Sequence, residues 1–158
     1  MPMAGSSRAG IALRLRGATG GRVEIGGGGA ALKELRVTGN RFGLDVLFVR
    51  HGFLGLANNW IDAVTEEDTR GMSSHASSPI GSSRFEDFKD EQVQRAAMRS
   101  LAPYLEDSAL VVLGGDGSLR GARAIHETYG VQVVGIPGTI DNNIAGTTSL
   151  GFHSAIAL

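Results

Sequence analysis

Apolar residues along the chain form short runs at residues 44–49, 109–113 and 131–136, each with at most one polar residue, and longer polar stretches lie between them. Runs of this length with few polar residues are typical of buried β-strands. Between residues 90 and 105, apolar residues instead recur every three or four positions, which predicts an amphipathic helix that Asp90 can cap. Further helices are predicted over residues 30–42 and between the last two runs. Strands that alternate with helices predict an α/β fold with parallel strands joined by helical crossovers.

A glycine-rich turn with the sequence Gly-Gly-Asp-Gly-Ser follows the run at 109–113, and Ser118 stands at the predicted helix N-cap. Glycines let backbone N–H groups approach an anion closely, and the start of a helix adds a favourable dipole. Such a turn can cradle a phosphate. Asp116, the only charge in the turn, can hold the Mg2+ that accompanies a nucleotide phosphate. The alternative is an ordinary strand-to-helix turn in which the glycines only fit a tight corner.

A second turn, Pro-Gly-Thr-Ile-Asp-Asn-Asn over residues 137–143, follows the run at 131–136. Both turns leave the carboxyl ends of strands in one βαβ unit, where open α/β sheets bind ligands. We therefore expect Asp116 and Asp141 to face one crevice, the first near a metal and the second near another substrate.

Composition narrows the classes of function. The chain has 158 residues, which fits one domain with a substantial core. Its formal net charge of −1 gives no electrostatic case for binding nucleic acid or an anionic membrane, and no apolar run approaches the roughly 18 residues of a spanning helix. With no cysteine, the sequence excludes disulfides and cysteine metal sites, and it is compatible with a reducing cytosol.

The four histidines lack paired metal-ligand spacing, so none is assigned a catalytic role. His126 is expected to face solvent. His51 and Phe53, in the turn after the run at 44–49, are interpreted as turn and packing residues.

The two turns and the spacing between them resemble the ATP-dependent 6-phosphofructokinase family. The resemblance implies a three-layer α/β/α sandwich with a mainly parallel, Rossmann-like sheet. It divides the chain into a poorly matching glycine-rich segment, 1–29, and a nucleotide-binding domain, 30–158, that is incomplete at its C-terminus. It further implies a cytoplasmic, allosteric, homotetrameric kinase of glycolysis that transfers the γ-phosphoryl group of ATP to the 1-hydroxyl of fructose 6-phosphate with Mg2+.

The resemblance also implies roles for single residues. Asp116 would hold Mg2+, and Asp141 would be the general base that takes the proton from the sugar hydroxyl. The segment Ile-Gly-Ser-Ser-Arg-Phe over residues 80–85 is similar to a family segment that contacts ATP. The implied sugar contacts are Thr139, Ile140 and Asp141. The implied ATP contacts are Gly20, Arg84, Phe85, Gly115, Asp116, Gly117 and Ser118.

The phosphoryl donor follows from two further glycines. Pyrophosphate-using relatives generally place Asp at the position of Gly117 and Lys at that of Gly138, so glycine at both favours ATP.

Several residues depart from the family pattern. Arg22 stands where the first phosphate loop of the family has Asp, Asn143 replaces a second Asp, and the segment 146–152 is one residue short. The sugar-gripping lobe of the family would follow residue 158. Two alternatives therefore stay open, an inactive truncated fragment that binds nucleotide weakly or not at all, and an NAD or lipid kinase that shares the Gly-Gly-Asp-Gly loop. The sequence Pro-Gly-Thr-Ile-Asp at 137–141 argues against the second alternative.

Overall fold

Helices and strands alternate along the chain, which confirms the predicted α/β class. The structure is a computed structural model that describes residues 10–17, 20–21, 29–63, 65–70, 80–81, 83, 85–105, 108–139, 141–148 and 150–151. Short 3-10 turns, Glu86–Lys89 and Ala102–Tyr104, flank α4. The elements are β1 (Gly10–Gly17), β2 (Gly20–Gly21), α1 (Gly29–Arg41), β3 (Asp45–Val49), α2 (Phe53–Ala57), β4 (Ile61–Ala63), α3 (Glu66–Thr69), α4 (Glu91–Leu101), β5 (Leu110–Gly114), α5 (Asp116–Tyr129), β6 (Val133–Thr139) and β7 (Leu150–Gly151).

The strands form one sheet in the order β4-β3-β1-β5-β6-β7, with β2 paired to β1. Strands β5, β6 and β7 are parallel, whereas β1 is antiparallel to β2, β3 and β5, and β4 is antiparallel to β3. Thus β2, β3, β5, β6 and β7 share one direction, and β1 and β4 run against it. The expected mainly parallel sheet is found for β5, β6 and β7 but is wrong for β1 and β4, because four of the six strand pairings are antiparallel. For β1, the pairing of Gly17 with Gly20 brings the chain back beside the strand before α1 begins.

The core lies on both faces of β3 and β5. Since successive side chains of a strand point to opposite faces, each strand contributes to two clusters. One cluster joins the strands to α2, α4 and α5, and the other joins them to α1. Burial on both faces explains why these strands read as uninterrupted apolar runs. The first cluster includes Leu47, Val49, Leu110, Val112, Phe53, Leu56, Ala97, Leu101 and Ile125; the second includes Val46, Phe48, Val111, Leu113, Leu32 and Ile80.

Helix α4 forms as its sequence predicts. The Asp90 carboxylate caps it by accepting a hydrogen bond from the Gln92 N–H at 2.7 Å, and Ala97 and Leu101 are fully buried. Within the described part of the chain, no helix is long and apolar enough to cross a membrane.

The connection from α5 to β6 is held at two points. Gly130 ends the helix in the left-handed conformation (φ 70°), which favours glycine. The Nδ1 atom of His126 lies 2.8 Å from the Val131 carbonyl oxygen. His126 is exposed as expected, but its ring also connects the end of α5 to the residues that precede β6.

Candidate active site

The two predicted turns meet at one edge of the sheet. In the parallel pair β5–β6, Gly114 lies opposite Pro137, so both strands deliver the chain to the same edge. A Cβ atom placed on Gly115 would lie 3.5 Å from the Cβ and 3.7 Å from the Oγ1 of Thr139. The turn after β5 and the last residue of β6 are therefore within van der Waals reach of each other.

Thr139 and Asp141 form a small hydrogen-bonded turn. The Asp141 N–H donates to Thr139 Oγ1 at 3.1 Å, and that hydroxyl donates to Asp141 Oδ2 at 3.3 Å. The side chain of Asp141 is exposed, so its carboxylate is held through one oxygen and stays open to solvent. Such a carboxylate can accept a proton from a substrate hydroxyl.

Helix α5 begins at once after β5. Gly115 is its N-cap, with φ −81° and ψ −173°, and the Leu119 N–H donates to the Gly115 carbonyl at 3.0 Å. The N–H groups of Asp116, Gly117 and Ser118 therefore have no acceptor within the helix, and the positive end of the helix dipole lies beside them. These are the physical requirements of an anion site.

The expectation that Ser118 is the N-cap is wrong. The N-cap is Gly115, three residues earlier, because Gly114 ends β5 and the chain turns directly into α5. Ser118 is instead in the first helical turn and completely buried, and its hydroxyl has no hydrogen-bond partner among the described residues. The burial covers the backbone of Ser118 as well as its side chain, so the structure gives no support to the predicted ATP contact at this residue.

Asp116 forms an ion pair with Arg120, one helical turn further along α5. The Asp116 side chain is 44% exposed and that of Arg120 is 76% exposed. A negative charge on the first residue of a helix is favoured by the helix dipole. The guanidinium adds a positive charge at the same place.

The segment predicted to contact ATP is attached to the turn after β3. The His51 N–H donates to the Ile80 carbonyl at 2.9 Å, and His51 Nδ1 lies 3.4 Å from Ser83 Oγ. His51 is held in the left-handed conformation (φ 57°), and its ring lies against Gly81. Phe85 is half-buried and packs against the first core cluster.

Comparison with known proteins identifies the family. The family model for phosphofructokinase matches residues 19–158. The chain belongs to the phosphofructokinase family. It is 40% identical over 128 residues to the ATP-dependent 6-phosphofructokinase of Spiroplasma citri, covering 80% of this chain and 38% of that protein. It is 35% identical over 128 residues to the enzyme of the same name from Glaesserella parasuis serovar 5, covering 80% of this chain and 40% of that protein.

A third relative with that name, from Actinobacillus pleuropneumoniae serotype 5b, is 42% identical over 118 residues, which are 72% of this chain and 35% of that protein. The resemblance drawn from the two turns is thus confirmed at the level of the family, which is a family of kinases. The chain spans less than half the length of the curated relatives it matches.

Membership of a phosphofructokinase family raises the question of Mg2+. The described residues contain no group of three or more His, Cys, Asp or Glu side chains that could hold a metal ion. In nucleotide sites, however, Mg2+ usually takes only one or two carboxylates, and phosphate oxygens and waters complete its octahedron. The half-exposed carboxylate of Asp116, at the start of α5, is a hard oxygen donor of the kind that such sites use.

Not every predicted site residue lies at this edge. Gly10 of β1 pairs with Leu113, and Leu13 pairs with Leu110, so the far end of β1 extends past the amino end of β5. Gly20, paired with Gly17, lies there, at the opposite end of the sheet from Gly115. The antiparallel direction of β1 is the cause, and this placement gives no support to a nucleotide contact at Gly20. Arg84 and Ile140 lie outside the described residues.

Two features of the site were missed by sequence reasoning. Arg120 stands four residues after Asp116, a spacing that brings helical side chains together, so its ion pair was readable in principle. The contact between His51 and the segment at residues 80–83 joins residues about thirty apart in sequence, and no local pattern indicates it.

Proposed function

We propose that this chain binds ATP at the turn between β5 and α5 and supplies the general base for transfer of the γ-phosphoryl group to the 1-hydroxyl of fructose 6-phosphate. The observation that carries the proposal is the parallel register of β5 and β6. It brings Gly115 within contact distance of Thr139, so the two turns border one space.

The turn after β5 suits the phosphate groups of a nucleotide. The backbone N–H groups of Asp116 and Gly117 lie at the start of a helix of 14 residues, and glycines on either side of Asp116 leave room for a ligand. Gly117 takes part through its N–H, and the contact at Ser118 rests on the family. The Asp116 carboxylate would hold Mg2+, which would supply positive charge beside the phosphate groups.

Asp141 is the proposed base. Its exposed carboxylate accepts the proton of the sugar hydroxyl as that oxygen attacks phosphorus, while the Thr139 hydroxyl keeps the carboxylate in place. General-base assistance of this kind is worth about 10²–10⁴-fold in rate. The larger share of catalysis in phosphoryl transfer comes from positioning and from neutralising charge on the transferred group.

Other parts of the proposal rest on the family. They are ATP contacts at Arg84 and Phe85, a sugar contact at Ile140, a cytoplasmic location, allosteric control, and a complete α/β/α sandwich in a homotetramer. The contacts of His51 with Ile80 and Ser83 support the first of these, because they fix the segment that carries Arg84 and Phe85.

The experiment separates binding from chemistry. Equilibrium dialysis with labelled ATP and Mg2+ measures the dissociation constant, and formation of fructose 1,6-bisphosphate measures turnover. We expect Asp141→Asn to lower turnover by at least about 100-fold and to leave ATP affinity nearly unchanged, since the carboxylate acts on the sugar. Asp116→Asn should weaken binding of ATP with Mg2+.

Equal loss of ATP affinity in the two variants would refute the division of roles between Asp116 and Asp141. Phosphorylation of NAD in place of the sugar would refute the proposed acceptor. ATP binding with no sugar product under any condition would refute the proposed base.

A further inference from the structure

The exposed face of α5 carries a regular stripe of charge. Asp116, Arg120, Arg123 and Glu127 follow one another at intervals of four, three and four residues, which places them on one side of the helix. They form two ion pairs, Asp116 with Arg120, and Arg123 with Glu127 at 2.7 Å. Both arginine side chains are 76% exposed.

The two pairs differ in their distance from the candidate site. Asp116 is the first residue of α5 and adjoins Gly115, which is within contact distance of Thr139. The pair of Arg123 with Glu127 begins two turns further along the helix. The Arg120 guanidinium is therefore the one of the two that sits on the proposed metal-binding carboxylate.

We propose that the Arg120 guanidinium neutralises the Asp116 carboxylate when no divalent cation is bound, and that Mg2+ displaces this guanidinium from Asp116 when the metal binds. This rests on the proposed nucleotide site. A bare carboxylate beside the phosphate groups would repel a nucleotide that arrives without its metal. A guanidinium on that carboxylate neutralises its charge and removes the repulsion.

The exposure of the pair makes the exchange feasible. An ion pair between solvent-exposed side chains is weak, because both groups are well hydrated and both lose side-chain freedom in pairing. Mg2+ has twice the charge of a guanidinium and prefers carboxylate oxygen, so it can replace Arg120 at Asp116 without disturbing the core. Arg120 is thus a positioning residue that acts through Asp116.

The test compares Arg120→Gln with the matched control Arg123→Gln. Both changes remove one arginine of equal exposure from one helix face, and Gln is as good a helix former as Arg. Equilibrium dialysis gives the ATP dissociation constant in excess EDTA and at saturating Mg2+. We expect Arg120→Gln to weaken metal-free binding about fivefold and to leave Mg2+-saturated binding within about twofold. Arg123→Gln should leave both constants within about twofold.

A double variant shows whether Arg120 acts through the carboxylate. In an Asp116→Asn background there is no charge to neutralise, so the added change Arg120→Gln should alter metal-free affinity by less than about twofold. A loss as large as in the native background would overturn the inference, since Arg120 would then contact the nucleotide directly. Circular dichroism of every variant checks that α5 is intact.

The outcomes separate this inference from the proposed function. If the native chain binds ATP and Mg2+ tightens binding, the nucleotide site stands, and equal behaviour of the Arg120 and Arg123 variants overturns only the role of Arg120. If the native chain binds no ATP in either condition, the nucleotide site is refuted and the role of Arg120 with it.

Discussion

A single methyl group at Gly115 tests whether the space between the two turns is a binding site or only a corner of the fold. The alanine Cβ would meet Thr139 Cβ at 3.5 Å and Oγ1 at 3.7 Å, which are ordinary van der Waals distances. The backbone there, at φ −81° and ψ −173°, suits any residue. Gly115→Ala should therefore fold normally and place its methyl group in the space that both turns border.

The effects on stability nearly cancel. Replacing glycine by alanine at a compatible conformation stabilises a protein by about 0.4–1 kcal/mol, because the unfolded chain loses freedom. At a helix N-cap, alanine is a poorer residue than glycine by a similar amount. The net change in the free energy of unfolding should stay within about 0.5 kcal/mol. A ligand that needs the same space faces overpacking of about 1–3 kcal/mol, which is about five- to 150-fold weaker binding.

Gly130→Ala is the matched control because it should show the opposite profile. No atom lies within 4 Å of a Cβ placed there, but φ is +70°, so the alanine is strained without being crowded. We expect a loss of about 1 kcal/mol in stability and no change in ATP affinity. Thermal unfolding and equilibrium dialysis with ATP and Mg2+ measure both quantities. Unchanged ATP affinity in a well-folded Gly115→Ala variant would refute a nucleotide site between the turns.

Two further predictions concern parts of the fold away from the two turns. In the capping box of α3, the Asp68 carboxylate accepts hydrogen bonds from the Thr65 hydroxyl, which is the larger cause, and from the Thr65 N–H, and both lower the Asp68 pKa below 3.8. The stabilisation by this capping box is therefore present above pH 3.8 and is lost as the pH falls through the lowered pKa. Thr65→Ala should move the Asp68 titration midpoint up towards 3.8, measured by NMR, and an unmoved midpoint would show that the hydroxyl is not the main cause. Gly81→Ala would put a Cβ 2.5 Å from the His51 ring at a φ of +73°, so it should destabilise the chain by more than about 1 kcal/mol. In a His51→Gly background the ring is absent, so Gly81→Ala should cost at least about 0.5 kcal/mol less, as measured by urea unfolding. If the stability losses of the two single variants simply add in the double variant, the packing contact between residues 51 and 81 is refuted.

The sequence predicts best those helices and strands whose pattern of burial repeats regularly along the element. Strand β5 and residues 46–49 of β3 are buried on both faces, and so their residues are apolar without alternation. Helix α4 has one buried side and a capping aspartate, so its period and its start are both visible. The first helix is predicted over 30–42 and observed at Gly29–Arg41. In each case the local pattern and the tertiary environment agree, which is why the pattern suffices.

The direction of a strand and the residue at which it ends depend on the strands paired with it, and the local sequence pattern does not contain that information. The apolar residues of β1 would read the same in either direction, and its direction is set by the pairing of Gly17 with Gly20. Strand β6 is predicted over 131–136 but observed at Val133–Thr139. Its second half is a strand because Pro137 lies opposite Gly114 and Gly138 pairs with Leu150, although this stretch has the composition of a turn.

The candidate site likewise has features that the sequence predicts and features that only the structure shows. That Asp116 and Asp141 belong to neighbouring turns at one edge follows from chain order, since consecutive βα units of a parallel pair end on the same side. The burial of Ser118 follows from where the helix begins, and the residue types in the turn do not reveal that. The Gly-Gly-Asp-Gly-Ser motif therefore indicates where the chain turns from β5 into α5, whereas the structure decides which atoms of the turn are buried.

Gly138, which bears on the proposed phosphoryl donor, packs against a residue of the second core cluster. A Cβ placed there would lie 3.1 Å from Leu113 Cδ1 and 3.4 Å from its Cγ. Leu113 belongs to the second core cluster, with Leu32 of α1 and Val46 of β3. A lysine at this position, as in pyrophosphate-using relatives, would require Leu113 to move and that cluster to repack. A lysine at this position would therefore require compensating changes in the core beneath the turn, and the packing of Leu113 favours glycine at residue 138.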